Sequence, residues 1–249
     1  MPSTVTIRFY AELNDFLMPE RRQVAFCHSL FGRPTVKDLI EALGVPHTEV
    51  DLILAGGKSV DFSHRVNNGE LISVYPVFES LNITPLVRVR PKPLRESCFV
   101  LDVHLGKLAS YLRMLGFNTL YDNSYHDHEL ADISAGEKRI LLTRDRGLLK
   151  RSKVTHGYLV RSEKPREQVE EVLRRFDLFN AIRPFRLCLR CNEVLQDVSA
   201  AEVEDRVPPR VKVTVKDYKC CKQCGRVYWQ GTHHRKMSKF IKDLIHLNQ

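Results

Sequence analysis

Four of the seven cysteines stand in two C-x-x-C pairs, Cys188–Cys191 and Cys221–Cys224. Two thiolates three residues apart fit on one tight turn. Two such turns supply the four soft ligands that a tetrahedral zinc ion takes. The pattern therefore ties residues 188 to 224 into one small ribbon. The 29 residues between the pairs exceed the usual spacing of about 15–20, which leaves room for an inserted hairpin. Gly225 suits a tight knuckle. Cys220 competes with Cys221, and the spacing to Cys224 favours Cys221. Four cysteines close the coordination sphere, so the expected zinc is structural. His233 and His234 become ligands only if a cysteine does not. Cys27, Cys98 and Cys220 are left over, and an odd cysteine count reads as metal binding in a cytoplasmic chain, not as a disulfide framework.

A second feature lies upstream. The apolar run that starts at Cys98 ends in Asp102, and the run Arg139–Leu142 leads to Thr143 and Asp145. A helical pattern follows each. In an open parallel sheet such residues emerge at the carboxyl ends of the strands, where ligands bind. Asp127, at a helix start with Glu129 close by, is the third candidate. Two or three carboxylates at a sheet edge suit Mg2+ or Mn2+; the plain alternative is helix caps and solvated acids. From residue 98 to 185 strand and helix patterns alternate, which predicts an α/β fold with a parallel sheet and helices on both faces.

The first 80 residues read differently. Val5, Ile7 and Phe9 alternate with polar neighbours, and a second strand includes Val24–Phe26. Thr35 with Asp38 marks a helix start in the segment 34–45, with Val36, Leu39, Ile40 and Leu43 as its apolar stripe and Gly44 as its stop. Two further strand-like runs follow, with Gly56–Gly57 as a turn. Residues 81–95 carry three prolines and read as a linker; Arg88, Arg90, Lys92 and Arg95 are solvated there or touch phosphate. The tail 236–249 has the periodicity of a short amphipathic helix through Met237, Phe240, Ile241, Leu244 and Ile245. The expected organisation is 1–80, 81–95, 96–185 and 186–249.

Charge is uneven. The net +9 divides into −3 over residues 1–80 (7 Lys/Arg against 10 Asp/Glu), +6 over 81–185 (19 against 13) and +6 over 186–249 (13 against 7). A basic excess confined to the last two thirds favours a polyanion such as nucleic acid, with solubility the plain alternative. No apolar run approaches the roughly 20 residues of a membrane span, and the first residues lack a signal-peptide core. The expected location is cytoplasmic, without a membrane partner.

The order strand, strand, helix, strand, strand over about residues 3–79 resembles the ubiquitin-like β-grasp fold, in particular its sulfur-carrier branch, through TVKDLIEALGVP and GELISVYPVFE. Sulfur carriers end in a free Gly-Gly. Here Gly56–Gly57 is internal and the chain runs on past Glu79, so a docking role for a protein partner is the expectation. Residues 98–150 with the knuckles resemble the Mut-seven C-terminal RNase family, a PIN-like nuclease branch fused to a zinc ribbon. The matching pieces are DVHLGKLA from Asp102, LRMLGF from Leu112, RILLTRD from Arg139, RCN from Arg190 and YWQGTH from Tyr228. The β-grasp domain is its usual companion.

That resemblance implies a PIN-like sheet and metal-dependent RNA cleavage, by water attack without a covalent enzyme intermediate. Asp102, Asp127 and Asp145 match the acids that hold Mg2+ or Mn2+, and Thr143, in the same motif as Asp145, is read as a group able to orient a metal-bound water. Longer PIN nucleases carry a further acid after this point; none follows Asp145 in RGLLKRS, and Glu129 or Asp122 stands in reserve. Lys107, Arg113, Arg144 and Arg146 are read as phosphate contacts or solvated surface. Tyr228 and Trp229 either stack on an unpaired base or pack the ribbon. The rival readings are a non-catalytic RNA-binding module and an adaptor that recruits a protein through the β-grasp domain.

Overall fold

A computed structural model describes residues 3–76, 89 and 97–246. The linker expected at 81–95, with its arginines, lies outside the described residues apart from Val89. In chain order the elements are β1 (Ser3–Phe9), β2 (Phe26–Leu30), α1 (Val36–Ala42), β3 (Val50–Ala55), β4 (Lys58–Val60), β5 (Leu71–Pro76), β6 (Phe99–Leu101), α2 (Gly106–Leu115), β7 (Thr119–Leu120), α3 (Asp127–Gly136), β8 (Ile140–Thr143), α4 (Arg146–Leu149), β9 (Gly157–Leu159), α5 (Pro165–Arg175), β10 (Gln196–Val198), α6 (Pro209–Lys212), β11 (Tyr218–Cys220), β12 (Val227–Trp229) and α7 (Thr232–His246). The fold is mixed α/β, with an N-terminal sheet domain, parallel strands accompanied by helices, and a cysteine cluster towards the C-terminus. The chain divides into two compact units, Met1–Glu96 with Tyr125–Leu159, and Ser97–Ser124 with Val160–Gln249.

In the first unit β1 to β5 form one sheet in the order β2-β1-β5-β3-β4. β1 and β5 run parallel, Ile7 opposite Ile72, and the other pairs are antiparallel. Alternation puts Val5, Ile7 and Phe9 on the covered face, where they meet Leu39, Ile40, Ile72 and Val74 in a core exposed by 3% or less. α1 starts where its cap dictates. Thr35 Oγ1 accepts from Asp38 N at 3.1 Å, and Asp38 Oδ2 accepts from Thr35 N at 3.2 Å, so two orphan amides are satisfied reciprocally. The hydrogen bond from the Thr35 hydroxyl holds the Asp38 carboxyl below its usual range. Gly56 and Gly57 both have positive φ, +54° and +82°, the conformation a two-residue hairpin needs. The internal Gly-Gly is thus the β3–β4 turn.

The same unit contains α3, β8, α4 and β9, with β8 and β9 parallel in the register Leu141–Gly157 to Thr143–Leu159. The β-grasp residues bond directly to this segment. The buried His47 ring lies 2.6 Å from Glu41 Oε1 through Nδ1 and 2.9 Å from the Val154 carbonyl through Nε2. Glu49, wholly buried, accepts from Leu159 N at 2.8 Å. Lys150 donates to the Glu41 carbonyl at 2.8 Å.

In the second unit β6 and β7 run parallel. Phe99 stands edge-on to both Phe117 and Phe176. α2 stops at Gly116, whose φ is +96°, and a Cβ there would fall on the Arg183 carbonyl. The end of α2 leaves carbonyls without helical partners. Residues 183–186 satisfy them: Arg183 N donates to Leu115 O, Phe185 N to Met114 O and Arg186 Nε to Gly116 O, at 2.9 to 3.0 Å. The ribbon sheet runs β10-β11-β12, antiparallel throughout.

The last helix begins four residues before the expected 236. Its apolar stripe marks only the face that is covered, and the first turn, with His233 and His234, shows no periodic signal. Residues 247–249 of the expected helix lie outside the described residues.

Candidate functional site

The two C-x-x-C turns have the same construction. In the first, Cys188 N donates to Glu193 O at 2.7 Å and Asn192 N donates to Cys188 O at 2.9 Å. In the second, Cys221 N donates to Arg226 O at 3.0 Å and Gly225 N donates to Cys221 O at 2.8 Å. The residue after each pair sits in the left-handed region, Asn192 at φ 69° and Gly225 at φ 70°. Glycine enters that region freely, and asparagine is among the few side chains that tolerate it.

These turns gather Cys188, Cys191, Cys221 and Cys224, with one sulfur from each within 4.8 Å of the others. Cys188 Sγ lies 3.6 Å from Cys224 Sγ, and Cys191 Sγ 3.3 Å from Cys221 Sγ. Tetrahedral zinc with bonds of about 2.3 Å sets sulfurs about 3.8 Å apart, so the donor set fits a metal of that kind. Cys220 stays outside the group; its sulfur approaches the Gly225 carbonyl and takes a contact from Arg206 Nη1 at 3.5 Å.

The thiols differ in acidity. Burial pushes Cys188 up, but bonds from the Tyr228 hydroxyl and from the backbone amides of Cys191 and Arg190 more than offset it, leaving the group at about 6. Burial and the neighbouring Cys221 push Cys191 up to about 12, and burial raises Cys221. A metal ion binds cysteine sulfur as thiolate, so binding at such a cluster releases protons.

Tyr228 and Trp229 are both half-buried and pack against the ribbon. The Tyr228 hydroxyl lies 3.1 Å from Cys188 Sγ and accepts from Leu189 N at 3.1 Å. Burial and the Cys188 thiolate raise its ionisation above the normal tyrosine value. Trp229 packs on a cluster of Val203, Val207 and Tyr218.

Arg113 needs correction as a surface contact. It is 4% exposed, and its guanidinium donates to three main-chain carbonyls: Nε to Thr119 at 2.9 Å, Nη1 to Leu189 at 3.1 Å and Arg190 at 2.6 Å. It ties α2 to the first knuckle. Asn192 completes that joint. Its Oδ1 accepts from Thr119 N at 2.8 Å and its Nδ2 donates to Asn118 Oδ1 at 2.7 Å. Arg206 serves the second knuckle, donating to Gly225 O at 3.0 Å and Glu202 O at 2.9 Å. Sequence reasoning missed the roles of Asn192 and Arg206. The signals available for Asn192 were its place directly after a C-x-x-C pair, the place Gly225 takes after the other, and the RCN piece.

The acidic candidates occupy strand ends and helix starts. Asp102, in the second unit, is buried and directly follows β6. Close behind it, a Cβ on Gly106 would meet the Tyr121 hydroxyl, which donates to the Val103 carbonyl at 2.9 Å. In the first unit Asp127 opens α3, is exposed, and pairs with Arg151 at 3.5 Å. Asp145 caps α4, its Oδ1 accepting from Gly147 N at 2.7 Å. Thr143 is fully buried at the end of β8, and its Oγ1 accepts from Asp145 N at 2.9 Å. Glu129 is turned back to cap its own helix at His126 N, 2.8 Å away, and Asp122 holds Ser124.

The basic candidates divide. Lys107 and Arg144 are exposed. Arg146 lies over the Phe16 ring, its Cζ 5.2 Å from the centroid.

Together these features define a class: an α/β protein with a β-grasp domain in front and a four-cysteine metal ribbon behind. Residues 97–241 match the Mut7-C RNAse domain and residues 2–82 match the Mut7-C ubiquitin domain. The chain belongs to the Mut7-C RNAse domain family. No curated protein and no solved structure matches it. Membership in an RNase-domain family points to a nuclease-type function, and the ubiquitin-like domain to protein contact. Among the described residues no helix is long and apolar enough to cross a membrane.

Proposed function

We propose that this chain is a divalent-metal-dependent ribonuclease of the PIN-like kind, working in the cytoplasm. Its parts are a β-grasp domain over residues 1–80, a linker over 81–95, the RNase domain over 96–185 and a zinc ribbon with its terminal helix over 186–249. The observation that carries the reading is the match of residues 97–241 to an RNase domain. Asp102, Asp127 and Asp145 are the carboxylates that would hold Mg2+ or Mn2+, hard ions that take oxygen donors. When bound, such an ion supplies an activated water and stabilises the leaving oxygen of a phosphodiester.

The chain's own groups set the stage for that chemistry. The Thr143 hydroxyl fixes the backbone of Asp145 and so aims its carboxylate. Lys107, Arg144 and Arg146 offer charge to the phosphate backbone. Zinc is the metal for the four cysteines, and its role is to hold the ribbon that helps bind RNA. The β-grasp domain would recruit a protein partner.

One observation favours a second reading, a non-catalytic RNA-binding module. Asp127 and Asp145 each have a structural task, an ion pair and a helix cap.

The test is cleavage of end-labelled single-stranded and structured RNA with added Mn2+ or Mg2+, comparing wild type with Asp145→Asn. Asparagine caps a helix about as well as aspartate, so the variant keeps α4. Cleavage by wild type, lost in the variant at equal zinc content, supports the nuclease. Binding without cleavage by either protein moves the reading to the module, and equal cleavage by both removes Asp145 from the site.

A further inference from the structure

The terminal helix α7 uses its apolar face inside its own unit. Ile241 and Leu244 are buried. The Phe240 ring packs 5.2 Å from Tyr111 and lies under Arg166, whose Cζ is 5.0 Å from its centroid. His234 sits 4.2 Å from Phe185, and burial pushes its ionisation below the usual histidine value.

Among its exposed residues, one stripe is basic. A helix advances about 100° per residue, so Arg235, Lys239 and Lys242 fall within an arc of about 60°, opposite Ile241 and Leu244. All three are exposed, and among the described residues none of them has an ion-pair partner. They span about 10 Å along the axis. Asp243 is the only carboxylate on the helix, and it lies beside the stripe.

We propose that this stripe binds the phosphate backbone of RNA, as a site separate from the acidic residues. Three cations in a row match a line of phosphates, contacts that position a backbone and do not by themselves read its sequence; His246 shares the same arc at the end of the helix. A bilayer is a poor occupant, because the apolar face that would enter lipid is already covered by Tyr111 and Phe185. The inference rests on the reading of this chain as an RNA-acting protein, but not on catalysis.

The experiment measures binding of a labelled single-stranded RNA by the zinc-loaded full chain, without added Mg2+ or Mn2+, across a series of salt concentrations. Wild type is compared with Lys239→Gln/Lys242→Gln and with a charge-matched control, Lys58→Gln/Lys138→Gln. Each phosphate contact to a single strand contributes about 0.7 to the slope of log affinity against log salt. The α7 variant should lower that slope by about 1.4 and weaken binding roughly 25-fold at 0.1 M salt, while the control stays near wild type. An unchanged slope in the α7 variant, at unchanged helix content, overturns the inference. So does an equal loss in the control, which would mean net charge alone is at work. Wild type that binds no RNA overturns it too. Absence of cleavage with this binding pattern intact would count only against the nuclease.

Discussion

The two knuckles share a backbone and differ in what holds them. In the first, the left-handed residue is Asn192, whose side chain reaches out to Asn118 and Thr119, and Arg113 clamps the Leu189 and Arg190 carbonyls from below. In the second, the left-handed residue is Gly225, which has no side chain to reach with. Its carbonyl is held by Arg206 from within the ribbon. One half of the four-cysteine cluster is therefore built into the α/β domain, and the other half is carried by the ribbon alone. The difference teaches that a repeated motif can divide its labour. One copy joins the domain and the other closes the site.

The largest expected effect treats both copies alike. Cys191→Ser and Cys221→Ser should each abolish stoichiometric zinc, measured by elemental analysis, and cost the ribbon its cooperative unfolding, because metal binding at such sites is folding free energy. If one variant kept its zinc, the two halves would not be equal partners in the centre.

Next comes the clamp. Arg113→Ala should destabilise the chain by about 3 kcal/mol, since hydrogen bonds to a charged group are each worth about 1.5–3 kcal/mol and buried carbonyls are left without donors. Arg113→Lys should recover little, because an ammonium cannot reproduce the planar fork. Arg206→Ala, on the more exposed second knuckle, should cost less. Denaturant midpoints compare the two arginines directly, and equal losses would break the asymmetry.

The left-handed residues provide the sharpest contrast. Asn192→Gly keeps the turn and removes the joint, so it should cost about 1–2 kcal/mol for hydrogen bonds lost. Gly225→Asn keeps the turn and has no joint to lose, so thermal unfolding should shift by less than about 1 kcal/mol. Reversed magnitudes would show that the knuckles had been assigned each other's tasks.

The smallest effect lies outside the ribbon and controls for it. The carboxyl of Asp38 is held low by Thr35. Its share of stability is present above the unfolded aspartate value and is lost as pH falls through its lower folded value. Asp38→Asn should therefore flatten the acid side of the stability curve slightly while leaving zinc content unchanged.

Much of this molecule was legible in advance where the signal is local. The capping pair Thr35 and Asp38 is three residues apart, and α1 begins where it says. The C-x-x-C spacing selected Cys221 over Cys220, and the structure groups Cys221 with Cys188, Cys191 and Cys224. The β-grasp order followed from alternation and turn residues. Other features were not legible. Arg113 reads as a surface cation on an amphipathic helix, yet its partners Leu189 and Arg190 are 76 and 77 residues away. The first turn of α7 carries histidines without periodicity, so its start could not be placed from the stripe.

The sequence by itself determined the two cysteine pairs, the helix caps and the turns, because these depend on groups a few residues apart and on the φ a residue permits. Only the tertiary structure decided which cations are buried and which face water. A guanidinium is drawn inside when carbonyls from a distant segment converge to satisfy it, and no local pattern records that convergence.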